Sequence, residues 1–166
     1  SLQDIEMRIK SGADKVSLNT SAFTNPDLIK ITAKKFGSQC IVISVDYKII
    51  NSIPYVFIEN GGENTELSIF DWVRECQKLG AGEILLNSID RDGKGNGFDI
   101  EVIGAVVDST SLPVIACGGA GDFYDFVELA KTTNVSGIAA GNIFHFTERS
   151  YPRAKKILKK EKINVR

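Results

Sequence analysis

Cysteines, unbalanced charge and long apolar runs are all scarce in this sequence, and each scarcity excludes a class of protein. The three cysteines, Cys40, Cys76 and Cys117, stand far apart and form no CxxC pair, so neither a zinc site nor a disulfide framework is indicated. They are typical of buried thiols in a reducing cytoplasm, where we expect the protein to act. No apolar segment approaches the ~20 residues needed to span a bilayer, so we expect no membrane partner.

An excess of charge of either sign is also lacking. The 20 basic and 21 acidic residues leave a net charge of −1. A nucleic-acid interface requires a basic excess on one face, so we expect no nucleic-acid partner. No GxxxxGK[ST] motif occurs, and no GxGxxG follows a predicted strand, which argues against a nucleotide triphosphate site. We therefore predict neither a metal nor a cofactor.

The features that are present indicate an α/β fold. The 166 residues, 43% of them hydrophobic, suit one domain, and we treat residues 1–166 as a single domain. Short β-branched segments alternate with helical patterns, which is typical of βαβ units and a parallel sheet. Strands are predicted over 13–20, 40–48, 82–90, 112–119 and 135–142. Helices are predicted over 1–12, 26–37, 68–80, 99–106, 123–130 and 151–160, with a β-hairpin over 49–66.

Residues at the ends and on the faces of two of these helices support their bounds. Asn25 is a candidate cap for the helix over 26–37, and Ile31 belongs to its inward apolar stripe. Ser68 is a candidate cap for the helix over 68–80, and Gly80 is its predicted end.

The predicted strands all end in polar residues or glycine. Parallel α/β folds collect their reacting groups at the carboxyl ends of the strands. This uniformity therefore predicts one shared site. The residues at these ends are Asn19, Thr20, Asp46, Asn87, Cys117, Gly118, Gly119, Gly141 and Asn142.

Two acidic residues are candidates for acid/base chemistry. Asp46 directly follows the apolar run IVISV, and a carboxylate beside apolar walls can transfer protons. The alternative is that Asp46 caps a loop or pairs with Lys48. Asp92 belongs to a charged cluster with Asp90 and Arg91, for which an Asx turn with a local ion pair is the alternative.

Two glycine turns and two charged residues complete the candidate set. Gly118-Gly119 precedes a predicted helix, and such a turn lets backbone N–H groups approach an anion at the helix N-terminus. Gly141 follows the next strand, and two glycine turns in this order suit a phosphate group. Lys15 and Glu83 stand at the starts of their strands. Charges at that opposite edge of a parallel fold usually indicate stability or an interface.

Several segments carry a more specific signal. They are GADKVSLNTSAF, FGSQCIVISVDYK, DWVRECQKLGAGEILLNSIDRDGKGNGFD, LPVIACGGAG, FHF and the closing INVR. Together they resemble the family of cyclase subunits of imidazole glycerol phosphate synthase, in the family's order and over essentially the whole chain.

The resemblance implies a (βα)8 barrel that cyclises a ribulosyl phosphate intermediate of histidine biosynthesis. Its ammonia would come from a glutaminase partner docked on the bottom face, and its products would be imidazole glycerol phosphate and an aminoimidazole carboxamide ribonucleotide. By the same resemblance, Asp46 and Asp92 are catalytic, and Lys15 and Glu83 ring the ammonia entrance. Substrate or phosphate binding falls to Thr20, Asn87, Cys117, Gly118, Gly119, Gly141 and Asn142.

Three departures from the family pattern leave the substrate open. Cys117 and Asn142 stand where the family usually has Ser, and Asn87 stands where it usually has Thr. A thiol is a poor replacement for a hydroxyl donor. The alternative is a paralogue that works with an amidotransferase on nucleotide-linked surface sugars and makes acetamidino groups.

The resemblance also defines which part of the barrel the chain supplies. We expect a partial (βα)8 TIM barrel consisting of strands four to eight, with helix three at the start and the first three strands lacking. Five parallel strands cannot close an eight-stranded barrel, so we expect the native protein to be longer or to be completed by a partner chain. A non-catalytic barrel fragment is the third alternative.

Overall fold

A set of adjacent parallel strands forms the framework of the structure. The computed structural model describes residues 1–146, 148 and 150–165; Thr147, Arg149 and Arg166, the last residue of the INVR motif, lie outside the described residues. The strands are β1 (Val16–Leu18), β2 (Ile41–Ile50), β3 (Ile53–Ile58), β4 (Glu63–Ser68), β5 (Glu83–Ser88), β6 (Val114–Cys117) and β7 (Gly137–Ile138). The helices are α1 (Leu2–Lys10), α2 (Thr20–Thr24), α3 (Asp27–Phe36), α4 (Ile69–Leu79), α5 (Ile100–Ser109), α6 (Phe123–Thr132), α7 (Asn142–Phe146) and α8 (Ser150–Lys160).

The parallel strands lie side by side in the order β1–β2–β5–β6–β7. A helix stands in each connection between them, so the predicted α/β alternation is confirmed. In the described part of the chain, β1 pairs only with β2 and β7 only with β6. The strands therefore form an open arc, which is the arrangement expected for part of a barrel.

Side chains alternate between two faces of this arc because a strand has a period of two residues. On β2, Val45 and Tyr47 are buried, whereas Ser44 and Asp46 are half-buried. The same alternation continues on β5, where every second residue is buried. The buried face joins one core with apolar side chains of α3, α4, α5 and α6. The opposite face is less covered, and it carries Asp46.

The predicted hairpin is confirmed, and it continues directly from the end of β2. That strand runs to Ile50, two residues past its predicted end, and turns back through Asn51 and Ser52. Both turn residues have positive φ angles, 51° and 65°, the combination that matches the twist of a two-residue hairpin. Strand β3 then pairs antiparallel with β2, and β4 pairs with β3. The hairpin consequently stands on the carboxyl edge of the arc.

Helix ends follow the capping residues, with one shift. Ser68 accepts a hydrogen bond from the Phe70 N–H at the start of α4, and Gly80 ends that helix in the left-handed conformation, as predicted. Asn25 was predicted to cap α3, but Pro26 occupies that position and Asn25 ends the short helix α2. Within the described residues, no helix combines the length and apolar character needed to cross a membrane.

The alternation of faces generates a stability prediction. Ile43 is fully buried on β2, whereas Ile31 on α3, which we predicted to face inward, is 48% exposed. Ile43→Ala leaves a cavity and should lower the free energy of unfolding by about 2–5 kcal/mol. Ile31→Ala, the matched control, should change it by less than about 1 kcal/mol. Urea unfolding of both variants measures the difference, and equal losses would contradict the assignment of faces.

Candidate active site

Three candidate residues form a row across the carboxyl edge of the arc. Asp46 on β2 is the register partner of Asn87 on β5, and Asn87 is the register partner of Cys117 on β6. Adjacent strands lie about 4.8 Å apart, so the row spans roughly 10 Å from the Asp46 backbone to the Cys117 backbone. The predicted convergence of strand ends thus holds for these residues, while their chemical roles stay predictions.

The Asp46 carboxylate is held between two amide side chains. The Asn19 Nδ2 atom donates to Oδ2 at 3.1 Å, and the Asn87 Nδ2 atom donates to Oδ1 at 3.0 Å. The alternative ion pair with Lys48 is not formed. Lys48 Nζ instead donates to the Gly61 carbonyl at 3.1 Å and lies 4.7 Å from the Phe57 ring centroid. The two amides fix the direction of the carboxylate, and Lys48 binds to the hairpin instead.

One polar atom of the Asn87 side chain has no hydrogen-bond partner among the described residues. Its Nδ2 atom is committed to Asp46, and its Oδ1 atom is buried without a hydrogen-bond partner among the described residues. A buried acceptor left unpaired costs about 1–3 kcal/mol. A ligand N–H or O–H group placed here would remove that cost.

Asp92 lies on a glycine-rich loop that begins at the end of β5. The Arg91 and Asp92 N–H groups both donate to the Ser88 carbonyl, at 3.1 and 2.9 Å. The alternative, a local ion pair within this cluster, is not present among the described residues. Asp90 accepts from the Ile49 N–H at 3.2 Å, and the Arg91 guanidinium donates to the Gly97 carbonyl at 3.3 Å. The first contact joins the loop to the end of β2, and the second joins two parts of the loop to each other.

The glycine-rich loop and the two glycine turns enclose a cleft of about 340 Å³. The Gly97 N–H donates to the Gly119 carbonyl at 2.9 Å, which brings the loop directly onto the turn after β6. The cleft therefore brings one catalytic candidate together with four of the predicted phosphate-binding residues. Its lining includes Asp92, Lys94, Gly118, Gly119, Gly141 and Asn142.

Most amides at the start of α6 are already engaged. The Tyr124 and Asp125 N–H groups donate to the Asp122 carboxylate, and the Gly121 and Asp122 N–H groups donate to Asp125. We expected the helix N-terminus to receive an anion, but this capping box occupies it. The glycine turn that precedes the helix is the part that faces the cleft.

Cys117 connects the row and the cleft. Burial raises the pKa of the Cys117 thiol, and the negative charges of Asp92 and Asp46 add to the rise. The thiol is therefore a neutral, weak donor at physiological pH. Asp46 and Asp92 both lie at the carboxyl edge of the arc, because Asp46 pairs with Asn87 near the end of β5 and the loop of Asp92 follows that end.

Thr20 stands apart from the cleft, on the β1 side of Asp46. Its hydroxyl accepts from the Glu59 N–H at 3.0 Å and donates to the Asn19 Oδ1 atom at 3.3 Å. It thus orients Asn19, the amide that holds Asp46. The sequence places Asn19 among the polar strand ends and indicates no role for it, because its contact with Asp46 depends on how β1 pairs with β2.

Lys15 and Glu83 form an ion pair at the opposite edge. Lys15 precedes β1, Glu83 begins β5, and their charged atoms lie 2.7 Å apart. The Glu83 side chain is 15% exposed and the Lys15 side chain 48%. Both residues therefore lie at the amino ends of the strands, as predicted, and their ion pair spans β2. Among the described residues, no cluster of three or more His, Cys, Asp or Glu side chains could hold a metal ion.

Comparisons with known proteins match this chain to one family. A family described as "Histidine biosynthesis protein" matches residues 1–150. The imidazole glycerol phosphate synthase subunit HisF of Streptococcus mutans is 43% identical over 100% of this chain and 66% of its own length. Subunits of the same name from Hydrogenobaculum and Pyrobaculum aerophilum are 45% and 44% identical, over 99% and 100% of this chain and 66% and 65% of their own lengths. The chain thus spans about two thirds of the length of these curated relatives.

The close contact between the loop and the turn generates a prediction about glycine. A Cβ atom at Gly119, where φ is +110°, would lie 2.2 Å from the Gly97 carbonyl oxygen. Gly119→Ala should therefore lower the free energy of unfolding by at least about 1–2 kcal/mol. Gly141→Ala is the matched control, since a Cβ atom there meets nothing within 4 Å. Thermal melts of both variants compare them, and an unaffected Gly119→Ala protein would refute the packing.

Proposed function

Because the chain belongs to the histidine biosynthesis protein family, we propose that it acts as the cyclase subunit of imidazole glycerol phosphate synthase. The reaction would take ammonia and a ribulosyl phosphate intermediate to imidazole glycerol phosphate and an aminoimidazole carboxamide ribonucleotide. One observation carries the proposal: a carboxylate fixed by two amides lies at the same strand edge as a glycine-lined cleft. The names of the relatives favour this substrate over the surface-sugar alternative.

Asp46 would perform the acid/base steps. Building ammonia into a ring requires protons to leave nitrogen and to reach a departing group, and a positioned carboxylate can carry them. Asn19 and Asn87 hold the Asp46 oxygens in one orientation, which supports a fixed direction of proton transfer. The unpaired Oδ1 atom of Asn87 would accept an N–H or O–H group of the intermediate. Asp92 would act from the cleft side.

The glycine cleft would hold a phosphate group of the substrate. Its lining of Gly118, Gly119 and Gly141 allows backbone N–H groups to approach an anion closely, and Lys94 supplies a positive charge. Asn142 offers an amide donor in place of the hydroxyl usual in the family. Cys117 contributes little as a donor, so the Asn142 amide and the backbone would carry more of the recognition. Thr20 would act on the other side of Asp46.

Ammonia would arrive from the opposite edge, where Lys15 and Glu83 are paired. A glutaminase subunit docked at the amino ends of the strands would release ammonia there, and this arrangement separates ammonia production from cyclisation. We also propose a cytoplasmic location. Its support is that Cys40, Cys76 and Cys117 are all free thiols, which persist in a reducing compartment.

The role of Asp46 is tested by Asp46→Asn in the full-length protein. The substitution keeps the shape of the side chain and removes its charge. With added ammonia and the ribulosyl substrate, kcat should fall by about 10²–10⁴-fold, the range attributed to general acid/base catalysis. Asp108→Asn, which alters an exposed carboxylate on α5, should leave kcat unchanged. An Asp46→Asn enzyme with wild-type kcat would rule out the proposed role.

The ammonia entrance is tested by Lys15→Met. Loss of the Lys15–Glu83 pair should lower glutamine-dependent turnover relative to ammonia-dependent turnover by about fivefold, the equivalent of ~1 kcal/mol. Lys35→Met is the matched control, because Lys35 forms a 2.8 Å pair with Glu6 elsewhere on the surface. Turnover is measured with glutamine plus the glutaminase subunit and, separately, with ammonium salt. Equal loss in both assays would contradict an entrance at this edge.

A further inference from the structure

The buried hydroxyl of Tyr47 has no role in the steps proposed above. Tyr47 follows Asp46 on β2, so its side chain lies on the opposite face of the arc, where it is 1% exposed. Its hydroxyl donates to the Asp99 Oδ2 atom at 3.2 Å. Asp99 is itself only 6% exposed. A tyrosine hydroxyl and a carboxylate are thus paired inside the apolar layer, where each needs the other.

The Asp99 side chain contacts Tyr47 instead of capping α5. Asp99 is the residue before α5, where an aspartate side chain commonly accepts hydrogen bonds from the first turn of the helix. Here the Asp99 side chain makes no such cap bond, and its carboxylate faces Tyr47 instead. Burial raises the pKa of the Tyr47 phenol well above its usual value, which keeps the hydroxyl protonated as a donor.

Asp99 follows the loop that carries Asp92, and Tyr47 also contacts the residues that precede this loop. Its register partner on β5 is Ser88, which is 2% exposed. The Ser88 carbonyl accepts from the Asp92 N–H at 2.9 Å, and the Ile89 N–H donates to the Tyr47 carbonyl at 3.2 Å. We define the Asp92 loop as residues 89–98, the segment between Ser88 and Asp99. Tyr47 therefore contacts the residues that bound this loop on both sides.

We propose that Tyr47 is a positioning residue that holds the Asp92 loop in a fixed place relative to Asp46. Asp46 and Tyr47 are consecutive on one strand, so a contact of Tyr47 with both ends of the loop fixes the distance between the two carboxylates. The inference rests on the proposed function. Displacement of a reacting group by about 1 Å can lower a rate by ~10²-fold, which is the effect that this contact would prevent.

Tyr47→Phe in the full-length protein tests the proposal, because it keeps the ring and removes the hydroxyl. With saturating ammonia, kcat should fall by about 10–100-fold while KM changes little. Amide hydrogen exchange should accelerate in residues 89–98 and stay unchanged in α4. Tyr151→Phe removes an exposed hydroxyl on α8 and should change neither quantity.

A second variant separates positioning from stability. Tyr47→Phe leaves the Asp99 carboxylate buried and unpaired, so Tyr47→Phe/Asp99→Asn should recover thermal stability without recovering kcat. Recovery of kcat together with stability would overturn the proposal, as would wild-type kcat in Tyr47→Phe.

Failure of the proposed function is distinguishable from failure of this inference. A wild-type protein without cyclase activity would refute the function alone. Amide hydrogen exchange would then test the inference separately. Faster exchange confined to residues 89–98 in Tyr47→Phe would support it, and an unchanged exchange rate would overturn it.

Discussion

The parallel pairing of β2, β5 and β6 is the constraint on which the rest of the structure depends. It sets Asp46, Asn87 and Cys117 in one row, because each is the register partner of the next. A slip of one residue would turn every side chain of a strand to the other face. The polar row would then enter the helix-covered core. The apolar residues of the buried face therefore fix the position of the polar ones.

The strand and helix pattern was largely predictable, because continuous apolar runs and capping residues are local signals. Ser68 and Gly80 marked the ends of α4 correctly. The short helix α2 was missed, since five residues are too few to show a helical period. The inward orientation predicted for Ile31 was wrong, because an apolar residue at helical spacing can still lie outside the buried face of its helix. On α3 the buried face includes Leu28 and Ile29.

The candidate site was predictable as a location and not as a set of contacts. Polar strand ends indicated where the side chains would gather, and the row and the cleft lie at that edge. The partners of Asp46 were not predictable: sequence proximity suggested Lys48, whereas the donors are Asn19 and Asn87, which are 27 and 41 residues away. The capping box at α6 also changes the expectation for an anion, because side chains already use the amides that the helix would offer.

The contact between the Asp92 loop and the turn after β6 consists largely of main chain. A Cβ atom would come within 2.2 Å of a carbonyl oxygen at Gly119 and within 2.1 Å at Gly121. The two segments are therefore spaced by the thickness of a peptide backbone, and these positions cannot accept a larger residue without moving the backbone. Lining positions outside this contact, such as Lys94, Ala120 and Asn142, are those at which a substitution would change the cleft without moving the backbone. Ligand preference could thus diverge among homologues at those positions while the walls of the cleft stay the same width.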